Sequence, residues 1–457
     1  MSVNVKKLLL CIAVSIALCV AHVLGNTPMI LLCLAAFMVL VAQSCVTDFT
    51  LPVLMFFLPW SPILRTDPET FSFYTFALIM VCAISVIKKR FAFKRYHVII
   101  GFLLLILTLA SKLIQGNTIT FDYIAFMMLL FVFPVVKEEW QASKCSFTQL
   151  VVFFSCGIII AALVAMSLSA SKNIAKFITV DAYLTIVRRC GFYGDANFYA
   201  AQVSAALGGA MMDLLQEKKR SQTVFQFILI LLLVYCGFLS GSKSFALITA
   251  ALLLFWIIAL FRVRGRTGFK LLLVLAVVLA VIFIATSTLF QDLLDVMETR
   301  FSFRSNLSDF TTGRTDLWED YVEELSRNWK TLVMGKGYTN IKIGEKYTHN
   351  TLLQMVFQFG VLGTPVLMAW CVCFFADAPK KVGERKRQIV NTLLLGVGAF
   401  APWLAIDALF FDEFFLLQMF VYIGCRRLAG QELPGLAQKT ADSETQPKSL
   451  PGTEDKE

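Results

Sequence analysis

Long apolar segments dominate the sequence and constrain its fold more than any other feature. Most are about 17 to 23 residues long, the length that an α-helix needs to cross a hydrocarbon core of about 30 Å. We count fourteen such segments, near residues 8–24, 27–47, 50–60, 71–87, 97–115, 119–136, 148–169, 192–213, 223–240, 243–261, 270–289, 350–373, 388–407 and 411–428. Because the third has only eleven residues, we predict an all-α polytopic membrane bundle of twelve to fourteen transmembrane helices.

The composition excludes most soluble classes of protein. Hydrophobic residues make up 58% of the chain and charged residues only 16%, whereas a soluble domain carries about 25% charged residues. Soluble enzymes, nucleic-acid-binding modules and disulfide scaffolds are therefore excluded, and we predict no nucleic-acid partner. The 12 cysteines lie almost wholly in apolar segments, where a thiol behaves as a small hydrophobe, and we predict no metal site.

The net charge of +10 reflects topology more than an acidic partner. Basic residues concentrate in the loops 88–95, 218–220, 262–266, 380–387 and 426–427. By the positive-inside rule we predict that these loops and both termini are cytoplasmic. The polytopic domain would cover residues 1–428 and lie in the cell membrane. Residues 429–457 show no hydrophobic periodicity, so we predict that they form a disordered cytoplasmic tail. Two longer loops, 170–191 and 290–349, are predicted to be extracytoplasmic although they also carry lysine and arginine.

The loop 290–349 contains an amphipathic segment that begins near Gly313. Large apolar side chains recur there at helical spacing, with acidic residues opposite. They are Leu317, Trp318, Tyr321, Val322, Leu325 and Trp329. The pattern predicts a helix that lies on the membrane surface or caps the bundle.

His349 is the histidine best placed for chemistry. It stands where the large polar loop re-enters the membrane, and Asn350 follows it. An imidazole changes its charge near neutral pH and can act as a general base in such a setting. Thr348-His349-Asn350 would equally cap a helix. The residues alone leave both interpretations open.

Several cations also lie on the predicted outer face. Arg188 and Arg189 precede one span, Arg314 begins the amphipathic segment, and Lys243 lies in a short turn between two spans. Cations at a membrane are costly and usually have an anionic partner, and arginine presents a planar fork that matches phosphate oxygens. Pairing with Asp195, lipid headgroups or loop carboxylates is the alternative. The turn around Lys243 lacks the second glycine of a P-loop, so we reject a nucleotide site.

The order of these motifs resembles that of the O-antigen ligase family of bacterial membrane glycosyltransferases. This family includes O-antigen ligases, polysaccharide polymerases and protein O-oligosaccharyltransferases. The similarity covers about residues 185–375. It is carried by Arg188-x-x-Gly191…Asn197, Ser-Gly-Ser-Lys243-Ser244, Gly313-Arg314-x-x-x-x-Trp318, Gly335-Lys-Gly337 and Thr348-His349-Asn350. Each motif is weak alone, but their order and their placement on one membrane face are specific.

The resemblance implies a glycan donor linked to undecaprenyl diphosphate, used at the outer face of the cytoplasmic membrane without a cofactor or metal. It assigns Arg188 and Arg314 to the diphosphate and His349 to the acceptor. Further substrate-binding residues are then expected to be Arg189, Lys243, Asn197, Asn350 and Trp318. The acceptor would be a glycan or a lipid-linked glycan, and membrane lipids would surround the bundle. A single displacement would invert the anomeric carbon.

Two questions stay open at this level. The sequence does not separate a ligase from a polymerase or a protein glycosyltransferase. The alternative from a different class is a flippase for lipid-linked oligosaccharides, or another multi-span transporter. A transporter predicts two related halves and charged sites near the membrane midplane.

Overall fold

The computed structural model describes residues 4–88, 94–141, 145–178, 182–183, 186–216, 220–262, 291, 295, 298, 313–343, 346–376, 385–410 and 412–428. The helices in chain order are α1 Val5–Leu24, α2 Thr27–Val46, α3 Thr50–Phe57, α4 Phe73–Ile87, α5 Arg95–Gln115, α6 Phe121–Gln141, α7 Phe147–Leu168, α8 Lys172–Ala175, α9 Ala196–Leu214, α10 Arg220–Leu239, α11 Lys243–Arg262, α12 Arg314–Arg327, α13 Trp329–Met334, α14 Thr351–Phe375, α15 Arg385–Phe400 and α16 Glu413–Leu428. Two-residue strands, β1 Ala182–Tyr183 and β2 Ile186–Val187, form an antiparallel pair just before Arg188.

The predicted all-α polytopic membrane bundle is confirmed. Seven helices of the described ranges are long and apolar enough to cross a membrane, and four shorter apolar helices accompany them. Each predicted segment coincides with a helix, except 270–289, which lies outside the described residues. The short segment 50–60 forms α3 and a 3₁₀ turn, Leu58–Trp60, and all of its residues are buried. Neighbouring helices therefore enclose this short piece.

Helix α9 is the central element because all of its residues except Asn197 are buried. It packs against α7, α10, α11 and α15. A Cβ added at Gly398 of α15 would lie 2.6 Å from the Ser204 carbonyl oxygen, and one at Gly208 would collide with the Leu394 carbonyl. Small residues let helix backbones approach closely within a membrane. This packing fixes the start of α9, where Asp195 and Asn197 lie.

The glycines of Gly335-Lys336-Gly337 let the loop dock onto a kink in α14. Gly360, with φ 67° and ψ −178°, interrupts the helix. The Lys336 and Gly337 N–H groups donate to the carbonyls of Phe357 and Gln358, both at 2.9 Å. Gly335 and Gly337 have φ of 73° and 78°, which favours glycine. The segment therefore anchors the large loop to α14.

The amphipathic segment forms α12 and α13, and the predicted single helix through Trp329 is wrong. α12 ends at Arg327, and Asn328 leaves the helical conformation and caps α13. Leu317, Tyr321 and Leu325 are buried against Phe357 of α14, as the helical spacing predicts. Val322 and Trp329 are instead 56% and 67% exposed. Part of the segment thus caps the bundle, while the new start at residue 329 turns Trp329 outward.

The polar motifs share one end of the bundle. Arg188 Nε donates to the Ser240 carbonyl at 2.9 Å, and Asn117 Nδ2 donates to the Lys336 carbonyl at 2.8 Å. Lys137 lies at the other end, where its ammonium donates to the Phe374 carbonyl at 2.6 Å. We call the first end the motif end. That it faces the outside, with both termini in the cytoplasm, stays a prediction, and residues 429–457 lie outside the described residues.

Candidate active site

The backbone of His349 is held in a conformation that non-glycine residues rarely adopt. Its φ is 45°. Such strained residues cluster at functional sites and persist when their surroundings fix them. The His349 N–H donates to Asp407 Oδ2 at 2.9 Å, and the Thr348 hydroxyl donates to Asp407 Oδ1. One carboxylate, contributed by a distant part of the chain, thus fixes two consecutive residues.

The imidazole of His349 turns one nitrogen toward two carboxylates. Nδ1 lies 3.5 Å from Asp407 Oδ2 and 4.0 Å from Asp195 Oδ2. The side chain is 28% exposed, whereas that of Asp407 is only 3% exposed. Nδ1 makes no hydrogen bond to the described residues, but a carboxylate this close to it favours the tautomer that carries the proton on Nδ1 and leaves the Nε2 lone pair available. This arrangement suits a general base that accepts a proton at Nε2.

The residues around His349 orient its backbone. Trp318 of α12 donates from Nε1 to the Thr348 carbonyl at 2.9 Å. Asn350 Oδ1 accepts from the Leu352 and Leu353 N–H groups at 3.0 and 3.2 Å, so this residue caps α14. The helix-cap interpretation therefore holds for Asn350. A substrate contact for Asn350 or Trp318 stays a prediction.

Asp195 and Asn197 join the first motif to the turn before α11. Asp195 caps α9, and its Oδ1 accepts from the Asn197 N–H at 2.6 Å. Asn197 Oδ1 in turn accepts from the Ser242 hydroxyl at 3.0 Å. Lys243 is the first residue of α11 and is half-buried. The contacts explain how the two motifs meet, and a substrate role for Asn197 or Lys243 stays a prediction.

Arg188 and Arg189 line a cavity of about 490 Å³ beside the last turns of α7, at the motif end. Arg188 is 7% exposed, whereas Arg189 is exposed and is held by its N–H, which donates to the Leu239 carbonyl at 3.0 Å. Leu163, Ala165 and Met166 of α7 contribute apolar surface to the same cavity. Within the described ranges its wall contains neither Arg314 nor His349. The cavity combines a cationic end with an apolar side.

Arg314 begins α12 and lies close to the charges of Arg188, Asp195 and Asp407. Burial lowers the pKa of its guanidinium from the usual range, and the positive charge of Arg188 lowers it further. The negative charges of Asp195 and Asp407 oppose this and raise the pKa of Arg314. Arg188, Asp195 and Asp407 therefore lie within electrostatic range of Arg314. Since His349 lies beside both carboxylates, we call these five residues the motif-end cluster.

Asp407 is the member of this cluster that the sequence reasoning missed. It lies between two 3₁₀ turns, Ala401–Ala405 and Ala408–Phe410, that separate α15 from α16. Its side chain is 3% exposed, and its two oxygens accept hydrogen bonds from the Thr348 hydroxyl and the His349 N–H. An acidic residue at the end of an otherwise apolar segment was the available signal, since such residues are costly in a membrane.

In comparisons with family models and with curated proteins, the chain matches neither a family nor a protein. Membership of the O-antigen ligase family therefore stays a prediction that rests on the motifs and their order.

Proposed function

We propose that the protein is a membrane glycosyltransferase that moves a glycan from a lipid diphosphate, such as undecaprenyl diphosphate, to an acceptor hydroxyl at the outer membrane face. One observation carries the proposal. Two arginines and a histidine from three separate motifs converge with two carboxylates at one end of the bundle.

The arginines would stabilise the leaving group. When the bond from the anomeric carbon to the diphosphate oxygen breaks, the electron pair leaves with the diphosphate and negative charge grows there. Fixed cations aimed at that charge lower the barrier without moving during the reaction. Arg188 is buried and oriented by its Nε bond to Ser240, so its guanidinium is preorganised. Arg314 adds a second positive charge close to it.

His349 would activate the acceptor. A bond forms between the acceptor oxygen and the anomeric carbon, and the hydroxyl proton passes to Nε2. The carboxylate of Asp407 beside Nδ1 stabilises the imidazolium that results. Attack on the face opposite the diphosphate inverts the anomeric carbon. The backbone of His349 has a positive φ and is held by its N–H bond to Asp407, and Trp318 holds the carbonyl of the preceding Thr348. These contacts would keep the ring in position.

The cavity beside α7 supports a lipid-linked donor. Its cationic end, formed by Arg188 and Arg189, suits phosphate oxygens. Its apolar side, formed by α7, suits the first part of a lipid chain. Phosphate next to hydrocarbon is the chemistry of a lipid phosphate headgroup. Arg188, which lines the cavity and also belongs to the motif-end cluster, would therefore link the two.

Deleting the gene for the protein from its host distinguishes this enzyme from a flippase, because the two leave the lipid-linked glycan in different leaflets. If the protein consumes a lipid-linked glycan at the outer face, the unused donor should accumulate in the outer leaflet. Spheroplasts treated with a membrane-impermeant glycosidase, followed by mass spectrometry of the extracted lipids, measure this directly. Removal of most of the accumulated glycan supports the enzyme. Glycan protected from the glycosidase would instead indicate a lost flippase and would contradict the proposal.

A further inference from the structure

A second cavity at the motif end has a chemistry unlike that of the first. Its volume is about 360 Å³, within the size range of small-molecule sites. It opens between the connection from α3 to α4, the start of α6 and the segment before α16. Four carboxylates and one guanidinium reach its wall, from Glu69, Asp122, Asp412, Glu413 and Arg65. The first cavity, by contrast, is lined by arginines.

The polar groups of this cavity are only partly satisfied by the protein. Asp412 Oδ2 accepts from the Thr75 hydroxyl at 3.0 Å, and Asp122 Oδ2 accepts from Asn340 Nδ2 at 3.2 Å. Each carboxylate has about four lone-pair sites, so acceptor capacity remains. Arg65 donates from Nη1 to the Pro68 carbonyl at 2.9 Å, while its buried Nε has no partner among the described residues. The carboxyl groups of the wall therefore offer several acceptors to a ligand.

Aromatic rings form the apolar part of the wall. The Phe71 and Phe121 ring centroids lie 4.4 Å apart, and the two residues are 53% and 38% exposed. Phe410 contributes a third ring from the segment before α16. Exposed aromatic faces beside carboxylates match the two surfaces of a sugar ring, which has an apolar C–H face and a rim of hydroxyl donors.

We propose that this cavity binds a sugar unit of the acceptor glycan, with its hydroxyls on Asp412, Asp122 and Glu69 and its ring face on Phe71 and Phe121. The acceptor role of this sugar rests on the proposed glycosyltransferase function, whereas sugar binding itself does not. A diphosphate is a poor fit, because the wall has four carboxyl groups and a single guanidinium to receive it. In the described part of the chain, no group of three or more histidine, cysteine or acidic side chains could hold a metal ion.

The cavity lies beside the segment that holds the motif-end cluster. Leu409 and Phe410 line it, and Asp407, which fixes His349, comes just before them in the chain. That segment is anchored to α14, since the Ala408 N–H donates to Thr351 Oγ1 at 3.1 Å and the Leu409 N–H donates to Gln354 Oε1 at 3.2 Å. One anchored segment therefore connects the cavity wall to the residue that fixes His349.

Saturation-transfer-difference NMR tests the proposal, because it detects weak binding to a large protein. The full chain in nanodiscs is mixed with a panel of neutral and amine-bearing disaccharides at millimolar concentration. We expect saturation of sugar ring protons for at least one of them. Asp412→Asn, Glu69→Gln and Phe121→Ala should each weaken its affinity about tenfold, because one carboxyl acceptor or one ring face is lost.

Asp67→Asn is the matched control. Asp67 lies in the same connection, pairs with Lys176 at 2.7 Å and does not belong to the cavity wall. This variant should bind the sugar as the parent does. Glu69 is exposed, so Glu69→Gln keeps the test valid if a buried variant fails to fold. Absence of saturation for the whole panel, or equal affinity in Glu69→Gln and the parent, would overturn the proposal.

A second readout separates this inference from the proposed function. Arg188→Ala should lose binding of undecaprenyl diphosphate, measured by thermal shift, and keep binding of the sugar. Asp412→Asn should weaken binding of the sugar and keep binding of undecaprenyl diphosphate. If the lipid diphosphate binds but no sugar does, only the cavity assignment fails. If the sugar binds but the lipid diphosphate does not, the proposed function fails and the cavity stands.

Discussion

Replacing Arg188 or Arg314 by alanine should lower glycan transfer by about 10²- to 10³-fold, the usual effect of removing one preorganised group that stabilises developing charge. Both guanidiniums belong to the motif-end cluster, where burial strengthens their interaction with an anion. Binding of the lipid diphosphate should weaken in parallel. Initial rates with purified protein, together with membrane yield, measure the effect.

Conservative and matched variants sharpen this prediction. Arg→Lys at either position should restore only part of the rate, because the charge returns without the bidentate fork. Lys243→Ala should be milder than either alanine variant. Arg327→Ala is the control, since Arg327 also lies on α12 but its side chain is 73% exposed and pairs with Glu323. Parent-like transfer in both Arg188→Ala and Arg314→Ala would mean that these cations serve topology or lipid contacts.

His349→Ala should lower turnover by about 10²- to 10⁴-fold, the range for loss of general acid–base catalysis. Donor affinity should change little, because the arginines hold the diphosphate. Asp407→Asn keeps the shape of the side chain and an oxygen for the His349 N–H, but it removes the negative charge beside Nδ1. It should therefore lower kcat more than it raises KM. Steady-state rates over a range of donor concentrations separate the two parameters.

Added imidazole supplies a control for His349. The alanine variant leaves space beside Asp407 and Asp195, and a free imidazole that enters it should restore part of the rate. A variant that merely misfolds does not respond in this way. Full turnover in His349→Ala without imidazole would mean that Thr348-His349-Asn350 serves only as a helix cap.

The sequence predicts the spans well because a membrane imposes one length and one polarity on each of them. The sequence also predicts three motifs that the fold brings together. The motif with Arg188 and Asp195, the start of α12 at Arg314, and His349 all contribute to the motif-end cluster. The end of α12 was harder to predict. Trp329 continues the apolar spacing, but Asn328 accepts a hydrogen bond from the Thr331 N–H and starts a new helix.

The parts that the sequence did not predict depend on contacts between distant residues. Asp407 lies 58 residues along the chain from His349, whose N–H donates a hydrogen bond to it, and no local sequence pattern links the two. The docking of Lys336 and Gly337 onto α14 likewise requires the kink at Gly360, whose backbone conformation is a tertiary feature. Both cavities are also assembled from several helices, so spacing along one helix could not reveal them.

The most direct test of the central claim is a reaction in nanodiscs, where catalysis is observable and transport is not. Purified protein receives an undecaprenyl-diphosphate-linked oligosaccharide and an acceptor oligosaccharide in buffer with EDTA, and mass spectrometry and NMR follow the products. We expect the glycan to be joined to the acceptor with an inverted anomeric carbon, and one undecaprenyl diphosphate to be released for each bond formed. A donor that stays intact with every acceptor offered, although the protein binds it, would contradict the account. A reaction that proceeds only when EDTA is left out would contradict leaving-group stabilisation by Arg188 and Arg314 without a metal.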